Sequence, residues 1–212
     1  MVGLAALMTL SMDLSVKQAL AKWPNVPAVY GWLSLDERGR WHIHEQGDAT
    51  AGGRGDPITN PQILAFIGRN YAADELGRWY FQNGPQRVYV RLDAAPYVLR
   101  RADTSQGLIT HTDVAVKTIA GWWLDDTGRL YAQTDVGGGL IDGRDLASIL
   151  DQLRVMPGET ALLEALGDEN SPPDAIWQVN HAAYPGTVPL HNGATAKDIK
   201  QQLDFVANPV PE

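Results

Sequence analysis

The stretch Thr59–Tyr97, TNPQILAFIGRNYAADELGRWYFQNGPQRVYVRLDAAPY, constrains the fold more than any other. Asn60 is a good helix N-cap, and Pro61 follows at the first helical position, where its missing N–H costs nothing. Ile63, Leu64, Phe66, Ile67 and Tyr71 fall on one stripe at a 3.6-residue period. Gly77 is placed to end the helix in a left-handed conformation. Trp79 and Phe81 then alternate with polar residues, Asn83-Gly84 is a two-residue turn signal, and Val88, Val90 and Leu92 alternate on a return strand. The stretch is therefore expected to be a helix laid on an antiparallel pair, which points to an α+β fold.

The flanking sequence extends this pattern. A short N-terminal helix is expected up to Ala21, ended by Trp23-Pro24-Asn25-Val26-Pro27. Tyr30–His44 reads as two strands joined by Asp36-Glu37-Arg38-Gly39, with Asp first and Gly fourth as a tight turn requires. Glu45–Thr59 is rich in Gly, Asp and Arg and poor in apolar residues, so a mobile loop is expected. Thr118–Leu124 and Arg129–Gln133 form a second hairpin around Asp125-Asp126-Thr127-Gly128. Gly137-Gly138-Gly139 reads as a loop, and Asp142 as the cap of a helix reaching Arg154. Residues 157–212 read as a loosely structured C-terminal extension with a terminal helix. The expected organisation is a lead and helix over 1–27, a first α+β unit over 28–103, a second over 104–156, and the extension.

An internal repeat is visible. Leu35-Asp36-Glu37-Arg38-Gly39-Arg40-Trp41 parallels Leu124-Asp125-Asp126-Thr127-Gly128-Arg129-Leu130, and each string follows a Gly-Trp pair. The turn string recurs as Asp74-Glu75-Leu76-Gly77-Arg78, there expected after a helix. Duplication of a hairpin–helix unit accounts for this. So does the commonness of Asp-x-x-Gly turns, and both explanations stand at this level.

Charge narrows the partners. The net charge is −8, divided as +1 up to Asp103 and −9 beyond it. An acidic half repels phosphate backbones, so no nucleic-acid partner is expected. No stretch approaches the ~20 apolar residues of a membrane span, and none is expected to cross a bilayer. Residues 1–11 are apolar but lack a basic start and a cleavage site, so they are not expected to be a signal peptide, and Met12 is an alternative start. With no cysteine, disulfides and thiol chemistry are excluded. A cytoplasmic protein is expected.

Four long strings carry a family resemblance: WPNVP at Trp23–Pro27, GWLSLDERGRW, AFIGRNYAADELGRWYFQNGPQRVYV and GGGLIDGRDLASIL. Over about residues 20–155 the chain resembles a family of uncharacterised proteobacterial proteins, a domain of unknown function. The helix–DE-x-GR-aromatic–hairpin–Ala-Pro-aromatic order of Asn60–Val98 is similar to a second uncharacterised bacterial family. That second resemblance implies two related α+β units and a role in signal transduction. Neither family implies a catalytic residue, and the segment after Met156 resembles none.

Chemistry is sparse. His42 and His44 lie two apart on a strand and share a face, as a metal pair would, but no third ligand is spaced to join them. They read as solvent-facing histidines, and no metal or cofactor is expected. The three glycines at 137–139 lack a phosphate-loop pattern, and Asp142 would repel an anion. No Gly-x-Ser-x-Gly elbow or spaced serine, histidine and acid is apparent. The best surface is the return strand. Val88, Val90 and Leu92 share one face, so Arg87, Tyr89 and Arg91 share the other, and two guanidiniums flanking a phenol suit an acidic group. A solvated outer sheet face is the plainer explanation. The function expected is a non-catalytic binding or regulatory module. Its partner would be a protein or a small anionic ligand, the acidic half of the same protein being one candidate and a homo-oligomer another. The alternative is a hydrolase or other enzyme assembled from residues far apart in sequence.

Overall fold

The structure is a computed structural model that describes residues 12–102 and 107–211. The apolar start and the alternative start at Met12 concern residues 1–11, outside the described residues, as is the boundary expected at 103–104. The chain divides into two compact units, Met1–Pro96 with Phe205–Glu212, and Tyr97–Asp204. No helix among the described residues is long and apolar enough to cross a membrane.

Among the described residues, unit 1 begins with helix α1 (Leu14–Lys22), which buries Val16. Strands β1 (Val29–Leu35), β2 (Trp41–Ile43) and β3 (Asp56–Pro57) follow, then helix α2 (Pro61–Arg69) and strands β4 (Tyr71–Ala73), β5 (Trp79–Asn83) and β6 (Gln86–Leu92). They form one sheet in the order β3-β2-β1-β6-β5-β4. The β1–β6 pair is parallel and all others antiparallel. Period-two alternation places Leu33, Leu35, Trp41, Val90, Leu92 and Trp79 on one face, and all are buried. Helix α2 packs there through Ile67 and through Phe66, edge-on to Phe81 at 5.4 Å. Asn60 caps it as expected, its Oδ1 accepting from the backbone N–H groups of Gln62 (2.9 Å) and Ile63 (3.3 Å).

Helix α2 ends at Asn70, seven residues before Gly77. Asn70 donates its side-chain amide back to the Phe66 carbonyl, and Tyr71 pairs with Phe81 across the sheet. Pairing thus captures a segment that periodicity alone continues as helix. Gly77 instead closes the β4–β5 hairpin with φ +72°, so the third Asp-x-x-Gly string follows a strand. The loop after β2 contains the 3-10 turn Ala49–Ala51. It is tied to the sheet by β3 and by side chains described below.

Unit 2 contains β7 (Tyr97–Arg101), β8 (Leu108–Thr110), β9 (Ile119–Asp125), β10 (Leu130–Thr134), β11 (Gly137–Ile141), α3 (Leu146–Gln152), β12 (Leu153–Val155), β13 (Thr160–Ala161), α4 (Leu162–Gly167), β14 (Ile176–His181), β15 (Val188–Ala194) and α5 (Ala196–Gln202). Its nine-stranded sheet runs β13-β12-β14-β15-β9-β10-β11-β7-β8. Its core includes Leu99, Leu130, Leu153, Leu162, Leu190 and Ile149.

Three expectations are corrected here. Gly137–Gly139 lie within strand β11, not a loop. A Cβ on Gly139 would stand 2.5 Å from the Leu99 side chain and one on Gly138 2.6 Å from Leu203, so close packing requires the glycines. Asp142 does not cap α3. That helix begins four residues later, and the Asp142 carboxylate accepts from the Arg144 backbone N–H and guanidinium. Residues 157–212 are no irregular extension, because β14 and β15 sit inside the second sheet, with β15 parallel to β9. Their apolar residues are too few to announce strands, and partners distant in sequence make them so.

Candidate functional site

The polar face of the unit 1 sheet gathers the chemistry of the N-terminal half. Residues directly opposite in a sheet share a face. Ser34 lies opposite both His42 and Arg91, Tyr80 opposite Tyr89, and Gln82 opposite Arg87. The strand alternation therefore brings both groups of candidate residues to one surface, His42 on β2 with His44 just after it, and Arg87, Tyr89 and Arg91 on β6. The structure divides them between an open end and a covered end.

The open end is built on the β4–β5 turn. Asp74 Oδ1 accepts from the backbone N–H groups of Leu76 and Arg78, each at 3.0 Å. Its Oδ2 accepts from Arg78 Nε and from the Tyr89 hydroxyl, each at 2.8 Å. Burial pushes the Asp74 carboxyl upward, but these hydrogen bonds outweigh it and hold the group below the usual carboxylate range. Burial and the bond to Asp74 push the Tyr89 phenol up. Tyr89 is itself buried, stacked on Tyr30 at 4.6 Å with the Arg78 guanidinium 5.1 Å above its ring. It holds the wall of the site and does not project from it. Arg87 is exposed and lies flat over Tyr80 at 4.7 Å. No carboxylate pairs with Arg87 among the described residues. Arg78, Tyr80, Arg87, Asp74 and Leu76 line a cleft of about 470 Å³.

Arg91 stands apart from this cleft. Its Nη1 donates to the carbonyls of Ala49 (2.9 Å) and Gly53 (3.2 Å), and its Nε to Asp93 at 3.0 Å. Arg91 thus clamps the loop after β2, where the sequence alone offers it as a free cation.

The covered end lies under that loop. His44 is buried, not solvent-facing, and its Nε2 is 2.8 Å from Ser34 Oγ while its Nδ1 is 3.1 Å from Asp48 Oδ1. His42 contacts Asp36 Oδ2 at 3.2 Å and the Gly55 carbonyl at 3.3 Å. The histidines share a face, but each has its own carboxylate. No group of three or more potential ligands that could hold a metal ion occurs among the described residues. The serine–histidine–aspartate chain escaped sequence reasoning because the Asp48 loop must fold back over β2 to close it. The one available signal was the pair of glycines at 53 and 55, which permit close approach.

The opposite face carries a groove of about 410 Å³ between α2 and the sheet, lined by Trp32, Ile43, Ile58, Ile63 and Val88, with Asn83 and Gln86 among its few polar groups.

Residues 12–210 match the model of a family described as "Protein of unknown function (DUF2946)". No curated protein matches the chain. A crystal structure of a DUF1285 family protein from Silicibacter pomeroyi DSS-3 is similar in fold, with a TM-score of 0.50 and 18% identity over 90% of this chain and 95% of that one. A second DUF1285 family protein, from Shewanella baltica OS155, gives a TM-score of 0.40 and 12% identity over 56% of this chain and 89% of that one. Both resemblances drawn from the sequence are thereby met, to an uncharacterised family and to a second one.

Proposed function

The chain belongs to this family of unknown function, and we propose that the open cleft of unit 1 is a non-catalytic binding site that takes an acidic group. The observation that carries the proposal is Arg87. It is a cation at the mouth of a cleft, already oriented by its stack on Tyr80, and although Asp74 and Glu75 line the same cleft, neither forms an ion pair with it. An exposed ion pair contributes only ~0–1 kcal/mol, so folding gives little reason to place an arginine there. A guanidinium fixed on an aromatic ring loses less freedom when it grips a carboxylate, which favours binding. The neighbouring Asp74–Arg78–Tyr89 network is already hydrogen-bonded before a ligand arrives.

The test is amide chemical-shift titration with a glutamate-rich peptide, comparing wild type with Arg87→Glu at low and high salt. Shifts around Tyr80 and Arg87 that vanish in the variant, and weaken with salt, support the module. Wild-type spectra unmoved by the peptide end the proposal. Arg91 is left untouched, because it holds the loop.

We further infer that the two units are copies of one ancestral unit. Unit 1 orders its strands third, second, first, sixth, fifth, fourth, with a helix between third and fourth and the first and sixth parallel. Unit 2, counted from β9 and setting β13 aside, has the same order, as β11-β10-β9-β15-β14-β12, with β9 and β15 parallel. The registers agree, since Leu33 pairs with Ile43 and Val90 where Trp122 pairs with Ala132 and Leu190. All three Asp-x-x-Gly-Arg turns share one bonding scheme, in which the aspartate accepts from the backbone N–H and the Nε of the arginine four residues on.

A further inference from the structure

We propose that Ser34, His44 and Asp48 form a nucleophilic triad for acyl transfer from a short-chain carboxylic ester, closed in the resting protein by the glycine loop that Arg91 clamps. This proposal is independent of the acidic-group cleft, which lies at the other end of the face.

The first support is the arrangement of roles. A carboxylate can only accept, so the 3.1 Å contact puts the His44 proton on Nδ1, toward Asp48. Neutral Nε2 is then an acceptor, and at 2.8 Å it takes the hydrogen bond of the Ser34 hydroxyl. Nucleophile, base and orienting acid thus stand in the order that activates a serine, and such a triad is recognised by geometry and not by position in the chain. The histidine side chain has no exposed surface, while the Asp48 side chain is 47% exposed. The site therefore lies just beneath the loop and outside the apolar core.

The second support is that the strand layout does not call for these residues. At the corresponding register positions unit 2 carries Trp123 for Ser34, Tyr131 for His42 and Gln133 for His44, with His191 opposite Trp123 as Arg91 is opposite Ser34. An aromatic pair fills the same place there, the Trp123 and His191 rings stacked at 5.4 Å.

The third support is the cover. A Cβ at Gly53 would lie 2.1 Å from Asp48 Oδ2 and one at Gly55 2.6 Å from His44 Nε2, so the loop can rest on the histidine–aspartate pair only because both positions are glycine. Arg91, directly across from Ser34, donates to the carbonyls of Ala49 and Gly53, and Asn208 from the C-terminal tail donates to that of Thr50 at 2.9 Å. Anchored at its far end by β3, the loop is held over the reactive groups between the two strands by these side-chain ties, and that span can lift.

With the loop lifted, the Ser34 oxygen bonds to the ester carbonyl carbon as its proton passes to His44 Nε2. The carbon–alkoxide bond then breaks, and His44 returns the proton to the departing alcohol. Water attacks the acyl-serine by the same route, with His44 taking its proton and handing it back to Ser34. The products are one acid and one alcohol. The acyl group is short because it has only the room that the loop vacates.

The experiment treats the full chain with diisopropyl fluorophosphate and maps the modified peptide by mass spectrometry, with p-nitrophenyl acetate turnover in parallel. Wild type is expected to be labelled at Ser34. Arg91→Ala is expected to be labelled about tenfold faster, as loss of two charge-assisted hydrogen bonds frees the loop. Asn208→Ala, which cuts the tail tie without touching the sheet, is the second loop variant should Arg91→Ala fold poorly. His44→Gln is expected to slow labelling and turnover about 100-fold, the scale of a general base. Ser34 left unmodified in wild type and in a folded loop variant overturns the proposal. Equal labelling of wild type and His44→Gln removes the triad, and equal labelling of wild type and both loop variants removes the clamp.

Discussion

Replacing Asp74 by Asn tests the wall of the open cleft, because it changes charge while nearly preserving shape. The Asp74 side chain is only 10% exposed and receives two charge-assisted hydrogen bonds on one oxygen, from Arg78 Nε and the Tyr89 hydroxyl. Hydrogen bonds to a charged group are each worth ~1.5–3 kcal/mol. The asparagine amide can accept through its oxygen or present an NH₂ to these donors, so at least one bond is lost or clashes. Shared donors and residual solvent reduce the sum, and a destabilisation of about 2–4 kcal/mol is expected. The pH dependence follows from the direction of the shift. Asp74 is held below its ordinary 3.8 in the folded protein, so the unfolded chain binds its proton first as pH falls. Its contribution is therefore full above 3.8 and is lost as pH drops through the lower folded value. Urea unfolding of wild type and variant, followed by far-ultraviolet circular dichroism at neutral and acid pH, reads both quantities. A gap under about 1 kcal/mol at neutral pH, or one that stays undiminished in acid, would refute the reasoning.

Two further outcomes concern unit 2. Gly139→Ala places a methyl against fully buried Leu99 and is expected to cost about 1–3 kcal/mol, whereas Gly143→Ala, with open space, is expected to be close to neutral in the same urea titration. His181 is buried against Trp122 and Tyr184, and burial lowers its affinity for a proton below the ordinary 6.5. The stability it confers as a neutral ring is present above pH 6.5 and lost as pH falls below it. A His181→Phe variant should have a thermal midpoint less sensitive to pH over that window, and an unchanged pH profile would count against this account.

Much of unit 1 was legible in its residues. Asn60-Pro61 set the start of α2, because a cap and a proline act on the backbone beside them. Asp36, Asp74 and Asp125 set three turns through bonds that span four residues. Strand alternation put Arg87, Tyr89 and Arg91 on one face, as the period of two requires. All of these are local interactions, and local order can be read along the chain. The rest depended on what came to lie alongside. Tyr71 has the spacing of a helical residue and became strand because Phe81 was there to pair with it. Gly137–Gly139 look like a loop and became a central strand because Leu99 and Leu203 need the space a side chain would fill. Strands β14 and β15 carry little apolar signal, and their place beside β12 and β9 makes them strands. For the same reason Arg91 turned from a free cation into a clamp, and Ser34, His44 and Asp48 into a hydrogen-bonded chain. Short-range chemistry chose the turns, caps and faces, while partners brought together by folding decided which segments joined the sheets and which polar groups met.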